Sequence, residues 1–142
     1  MQIKIKRLTE TAKIPTHGSN YAAGRDLYSD QTIEIFPHDT EKIKTNISLE
    51  IPKGYYGAIF ARSGLATKNG LRPANCVGVI DSDYRGNIIV ALHNDSPNIQ
   101  KVEKGDRIAQ LVIQPYLPVS FDEVDELTDT ERNVGGFGST GI

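Results

Sequence analysis

Apolar residues recur at every second position along much of the chain: Ile3 and Ile5, Ile33 and Ile35, Ile47, Leu49 and Ile51, Tyr56, Ala58 and Phe60, then Ile88, Val90 and Leu92. Period two is the spacing of a strand with one buried face, because successive side chains of an extended backbone point to opposite sides. Each run therefore predicts a strand with the named positions turned inward. Turn-forming residues separate the runs at Pro37-His38-Asp39, Pro52-Lys53-Gly54, Asn94-Asp95-Ser96-Pro97 and Lys104-Gly105-Asp106. Many short strands with tight turns predict an all-β fold, a jelly-roll-like β-barrel or sandwich. The one helical stretch is Ser63 to Lys68, ended by Gly70. Between Asn75 and Ile89, apolar residues flank a carboxylate and paired turn residues, which predicts a hairpin with its tip near Asp83.

From Thr128 to Ile142 the alternation stops, and Gly135, Gly136, Gly138 and Gly141 dominate a stretch with little apolar content. Alone it reads as a flexible terminus. The expected division is thus a β domain over residues 1–127 and a glycine-rich arm over 128–142. With 142 residues, 38% of them hydrophobic, the chain can bury one core and not two.

Charge adds a constraint. Sixteen basic residues stand against 18 acidic ones, so the broad basic surface of a non-specific nucleic-acid binder is missing, and no nucleic-acid partner is expected. Any polyanion has to be gripped locally. The amino terminus, MQIKIKRL, interrupts its apolar residues with charges and contains no run of signal-peptide or membrane-span length; a soluble cytoplasmic protein with no membrane partner is expected. One cysteine, Cys76, permits neither an intrachain disulfide nor a multi-cysteine metal cluster. The N-x-S sequons at Asn46 and Asn94 read as turn asparagines.

Several chemistries lack their devices. There is no G-x-x-x-x-G-K-[ST] phosphate loop, no G-x-S-x-G elbow and no H-x-E with P-C-x-x-C zinc signature. Asp81-Ser82-Asp83-Tyr84-Arg85-Gly86 starts like a calcium loop, yet Arg85 fills its fifth position and Leu92 its last. His17, His38 and His93 have no metal-ligand spacing.

Other residues carry candidate chemistry. In ARSGLA, Ala61 to Ala66, Arg62 can present a planar fork to phosphate oxygens, Ser63 a hydroxyl, and Gly64 a closely approachable backbone; the alternative is a helix cap with a surface arginine. Asp81, after Gly78-Val79-Ile80, is a carboxylate at the edge of an apolar run, suited to a general base that activates water or to capping a turn. Asp26, between Gly24 and Leu27, suits a buried carboxylate paired with an arginine. Gln110, an amide inside an apolar strand, needs a partner if buried.

Five segments in order, AGRDLYS from Ala23, ARSGLA from Ala61, GVIDSDYRGNI from Gly78, GDRIAQLV from Gly105 and RNVGGFGSTG from Arg132, resemble the five motifs of the trimeric dUTPase family over nearly the whole chain. The resemblance implies hydrolysis of dUTP to dUMP and pyrophosphate, which limits uracil in DNA and supplies dUMP for dTMP synthesis. It implies Asp81 as the catalytic base for water attack on the alpha phosphorus. Arg62, Ser63 and the Gly64 backbone would contact phosphate, Gln110 the phosphate region, and Asp26 would support them. Asn75 would read the base with backbone groups of Val79, Ile80 and Ile89, while Tyr84 packs on the deoxyribose. In the arm, Arg132 would pair with the terminal phosphate, Phe137 stack on the base, and Gly138, Ser139 and Thr140 add donors for phosphate, closing the arm over the nucleotide. Mg2+ would be held through the substrate phosphates with no protein ligand, and the active sites shared between subunits of a homotrimer. Three positions depart from the family pattern: Ala61, Arg25, and Asn133 in place of a glycine.

Overall fold

A computed structural model describes residues 1–136. It contains β1 (Lys4–Arg7), β2 (Arg25–Tyr28), β3 (Ile33–Ile35), β4 (Thr40–Lys44), β5 (Ile47–Glu50), β6 (Tyr55–Phe60), α1 (Ser63–Asn69), β7 (Leu71–Pro73), β8 (Gly78–Ile80), β9 (Ile89–Asn94), β10 (Gln100–Val102) and β11 (Arg107–Pro115). All ladders are antiparallel. They form a four-stranded sheet β2-β11-β6-β8, a three-stranded sheet β4-β9-β7, and the pairs β1-β5 and β3-β10. The architecture is the mostly β, sandwich-like one that the alternation predicts. Among the described residues the ladders do not close into a barrel. No helix among them is long and apolar enough to cross a membrane.

One buried cluster takes side chains from all four sheets, including Leu27, Ile35, Ile43, Ile47, Leu92 and Leu111. β9 follows the predicted phase: Val90 and Leu92 are buried, Ile89 is exposed and His93 half-exposed. Asn94 is also fully buried, with its amide donating to the carbonyls of Ile35 (2.9 Å) and Asn98 (2.8 Å) and accepting from Ser96 N (2.9 Å), so this sequon asparagine pins a turn. α1 stops where Gly70 takes a left-handed φ of 69°, its N–H donating back to Ala66 and Leu65.

Two expectations fail. β6 has the opposite phase to the one predicted. Ile59 joins the core cluster, and a Cβ on Gly57 would stand 2.9 Å from Leu111 Cδ1, so the odd positions face inward. Tyr56, Ala58 and Phe60 lie on the other face, where Ala58 is nonetheless fully buried and the two aromatic residues half-buried; aromatic residues outweighed a glycine in the pattern, although the glycine faces the core. The hairpin over Asn75 to Ile89 does not form either. β8 pairs with β6, whereas β9 pairs with β4 and β7, so residues 81–88 cross between sheets as a loop.

Candidate active site

The outer face of the four-stranded sheet carries Asp26, Gln110 and Val79 of the candidate residues. Directly opposed residues of an antiparallel ladder point to the same side. Asp26, Gln110 and Phe60 therefore form one row, Val112, Ala58 and Val79 a second, and Gln114 with Tyr56 a third. A register shift in β11 between Arg107 and Ala109 bends the strand at its start and re-aims Arg107.

The first row is tightly tied. Arg62 Nε donates to Asp26 Oδ1 at 3.0 Å, Arg107 Nη1 lies 3.5 Å from Oδ2, and Arg62 Nη1 donates to the Arg107 carbonyl at 3.1 Å. The Asp26 side chain is 15% exposed, so one mostly buried carboxylate faces two guanidinium groups. Gln110 Nε2 donates to the Ala61 carbonyl at 2.9 Å. Its Oε1 occupies the space that a Cβ at position 24 would need, so a larger residue there would displace the amide. Arg62 takes the N-cap position of α1 with an extended backbone and makes no side-chain cap bond; its guanidinium serves Asp26 instead. Ser63 and Gly64, in the first turn, are exposed.

The second group is open. Tyr56, Val79, Asp81, Ser82, Asp83 and Tyr116 line a cleft of about 550 Å³. Asp81 is exposed, and among the described residues no side chain engages its carboxylate; its carbonyl accepts from Tyr84 N at 3.2 Å. The loop is anchored behind it, where Tyr84 OH donates to the Asn87 carbonyl (3.0 Å), Ser48 Oγ to the Arg85 carbonyl (2.6 Å) and Asn87 Nδ2 to Asn46 Oδ1 (2.6 Å). Val79 and Ile89 are exposed at the two ends of the segment, and Ile80 turns half-buried toward the core. The exposed Asn75 folds its amide against the backbone of Gly78.

The chain thus brings Asp26, Arg62 and Gln110 together, and Asp81 with Val79; Asp81 and Val79 line one cleft, whereas Arg62 and Arg107 line another. Arg132 lies apart from both, its Nε donating to the Gly135 carbonyl at 2.8 Å. Asn133 adopts a φ of 40°, a left-handed conformation that asparagine tolerates better than most residues. Phe137, Gly138, Ser139 and Thr140 fall outside the described residues. Two neighbours of the site were missed in the sequence. Tyr56 read as core, and Arg107 read as part of a structural turn, although a cation at a strand start beside Gly105-Asp106 was the available signal.

A dUTPase family model matches residues 10–141. The deoxyuridine 5′-triphosphate nucleotidohydrolase of Nautilia profundicola is 48% identical over 141 residues, covering 99% of each chain. Among solved structures, a point mutant of the Staphylococcus bacteriophage 80alpha dUTPase with dUpNHpp superposes with a TM-score of 0.92 at 30% identity, covering 99% of both chains. A mutant dUTPase from phage phi11 of S. aureus, described with a structural Mg(II) ion, superposes with a TM-score of 0.80 at 27% identity, over 89% of this chain and 98% of that one. With the motifs, the sheet face and the full-length match in agreement, the chain belongs to the dUTPase family.

Proposed function

We propose that this chain hydrolyses dUTP to dUMP and pyrophosphate, with Asp81 taking a proton from the water that attacks the alpha phosphorus as the bond to the pyrophosphate oxygen breaks. The observation that carries this reading is the contrast between Asp81, exposed in its cleft with no side-chain partner among the described residues, and the Asp26, Arg62 and Arg107 cluster, which ion pairs and hydrogen bonds hold in place. A base has to be unencumbered to accept a proton, whereas a phosphate grip works best when its geometry is fixed beforehand.

Asp26 and the Arg107 carbonyl hold Arg62 Nε and Nη1, leaving Nη2 for phosphate oxygens, with the Ser63 hydroxyl and the Gly64 backbone beside it. Gln110 completes the phosphate region. Asn75 and backbone groups of Val79, Ile80 and Ile89 read the uracil edge, and Tyr84 packs on the deoxyribose. Residues 128–142 act as an arm that closes over the nucleotide, with Arg132 on the terminal phosphate, Phe137 on the base, and Gly138, Ser139 and Thr140 on phosphate.

Magnesium would arrive on the nucleotide, held by its phosphates; Asp26, which faces Arg62 and Arg107, is committed to the guanidinium groups. Bound through the phosphates, magnesium would offset triphosphate charge. Because the base cleft and the phosphate cluster are separate within one chain, and Leu117, Phe121 and Leu127 lead into the arm with their side chains exposed, the complete site belongs to a homotrimer whose subunits share it.

The test is pyrophosphate release from dUTP, dTTP, dCTP and UTP with magnesium. dUTP is turned over fastest. A pocket that excludes one methyl group disfavours dTTP by roughly 10- to 200-fold, and mismatched polar edges are rejected more strongly. Equal rates on all four would sink the proposal.

A further inference from the structure

The turn that carries Asn75 is bracketed by side chains with no other evident task. Arg72, on β7, gives Nε to Asp95 Oδ2 at 2.6 Å and Nη2 to Asp95 Oδ1 at 3.1 Å. Its remaining nitrogen, Nη1, donates to Cys76 Sγ at 3.2 Å. The Cys76 thiol in turn donates to the Pro73 carbonyl at 3.1 Å, closing a loop of which Asn75 is part. All three guanidinium nitrogens are thereby committed. Asp95 is also steadied by His93, whose Nε2 lies 3.4 Å from Oδ1 and whose Nδ1 shares a 2.9 Å hydrogen bond with Thr40 Oγ1.

The bracket holds a backbone that would otherwise relax. Cys76 has a φ of 27°, in the left-handed range that non-glycine residues enter only when neighbours hold them there. One residue earlier, Asn75 lays its amide so close to Gly78 that Nδ2 would stand 3.1 Å from a Cβ at that position. Gly78 is paired with Ile59 in the central strand β6, so the turn places Asn75 three residues from a backbone anchored in the main sheet.

We propose that Arg72 and Cys76 are positioning residues for base recognition, holding the 73–78 turn so that the Asn75 amide meets the uracil edge in a fixed orientation. The inference rests on the reading of Asn75 as the base-contacting amide. Contacts to the base are made alike in the ground state and the transition state, so loosening the turn raises KM and leaves kcat in place. It also blurs the choice between uracil and cytosine, which depends on hydrogen-bonding groups that cannot shift to suit the wrong edge.

The experiment compares full-length wild type with Arg72→Ala, Cys76→Ala, Cys76→Ser and Asn75→Ala, measuring kcat and KM for dUTP, kcat/KM for dCTP, and melting temperature. Arg72→Ala and Cys76→Ala are expected to raise KM for dUTP about tenfold, the equivalent of roughly one lost hydrogen bond, with kcat and melting temperature nearly unchanged and a smaller dUTP over dCTP preference. Cys76→Ser, whose hydroxyl can make both bonds, stays near wild type. If Asn75→Ala raises KM while Arg72→Ala and Cys76→Ala do not, the bracket has no positioning role. A parallel fall of kcat or melting temperature in those two variants would also overturn it. Unchanged KM and selectivity in Asn75→Ala would instead remove the base-reading role, and the inference with it.

Discussion

Two aspartates show how differently this fold treats the same side chain. The Asp30 carboxylate is buried, accepting from Thr9 Oγ1 at 2.6 Å and Asn46 Nδ2 at 2.7 Å, with Lys104 Nζ 3.2 Å from Oδ1. It joins the segment after β1, the turn before β5 and the turn before β11. Burial alone would push its pKa up, but the hydrogen bonds from Thr9 and Asn46, with the Thr11 hydroxyl and the Lys104 ammonium close by, outweigh that and hold it well below the usual carboxylate range. Asp81, in the open cleft, has no such partners among the described residues. One carboxylate is tied into the fold, and the other is left without a side-chain partner among the described residues.

The sharpest way to break this contrast is Asp81→Asn. Removing a general base reduces turnover by roughly 10²- to 10⁴-fold. An exposed carboxylate with no protein partner contributes little to stability, so the melting temperature stays put, and dUTP binding survives. Steady-state kinetics beside a thermal melt reads both sides. A variant that retains wild-type turnover would take the role of base away from Asp81.

Asp30→Asn should do the reverse. Breaking a buried charged network by neutralising one member costs about 3 kcal/mol of stability, while kcat at a temperature where the variant is folded stays near wild type. The pH dependence has a definite sign. A carboxylate whose folded pKa lies below its unfolded value contributes stability that is fully present above the ordinary value near 3.8 and is lost as pH falls through and below it. Wild type therefore loses melting temperature more steeply than Asp30→Asn as pH drops below about 4. Parallel curves would show that the network is not what acid attacks.

The two aspartates also mark what was legible in the chain. Asp81 stood out because a carboxylate ending an apolar run is a local signal, as were the β9 alternation and the stop at Gly70. Asp30, in Ser29-Asp30-Gln31, looks like any turn residue, because its partners Thr9, Asn46 and Lys104 come from remote segments that only the fold assembles. The same limit explains Arg107, whose role depends on a strand irregularity. The inverted phase of β6 has another cause: Gly57 packs inward through the absence of a side chain, which no hydrophobic pattern registers. Pairing partners were invisible too. Strands on either side of residues 81–88 looked like a hairpin because they are close in sequence, yet each finds its neighbours elsewhere.

Asp26 lies between the two extremes, and its substitution tests whether tied and free carboxylates are separate classes. Its side chain is 15% exposed and faces Arg62 and Arg107, as a structural ion pair would, yet Arg62 also bears on the phosphate reading. In Asp26→Asn the amide can still accept from Arg62 Nε, so the loss is of charge rather than of shape. Charge-assisted hydrogen bonds are about twice as strong as neutral ones, which leaves Arg62 with a looser hold and about a tenfold fall in kcat/KM. The melting temperature should fall by less than in Asp30→Asn, since water reaches part of this cluster. Asp26→Ala, which leaves Arg62 Nε without an acceptor, lowers both further. If Asp26→Asn alters stability alone, Arg62 keeps its orientation through the Arg107 carbonyl, and Asp26 belongs with Asp30 as a residue of the fold. If it alters kcat/KM with almost no change in melting temperature, the first row of the sheet face is organised for the nucleotide, and the division between the two carboxylates becomes a gradient from Asp26 in β2 to Asp30 in the segment that follows it.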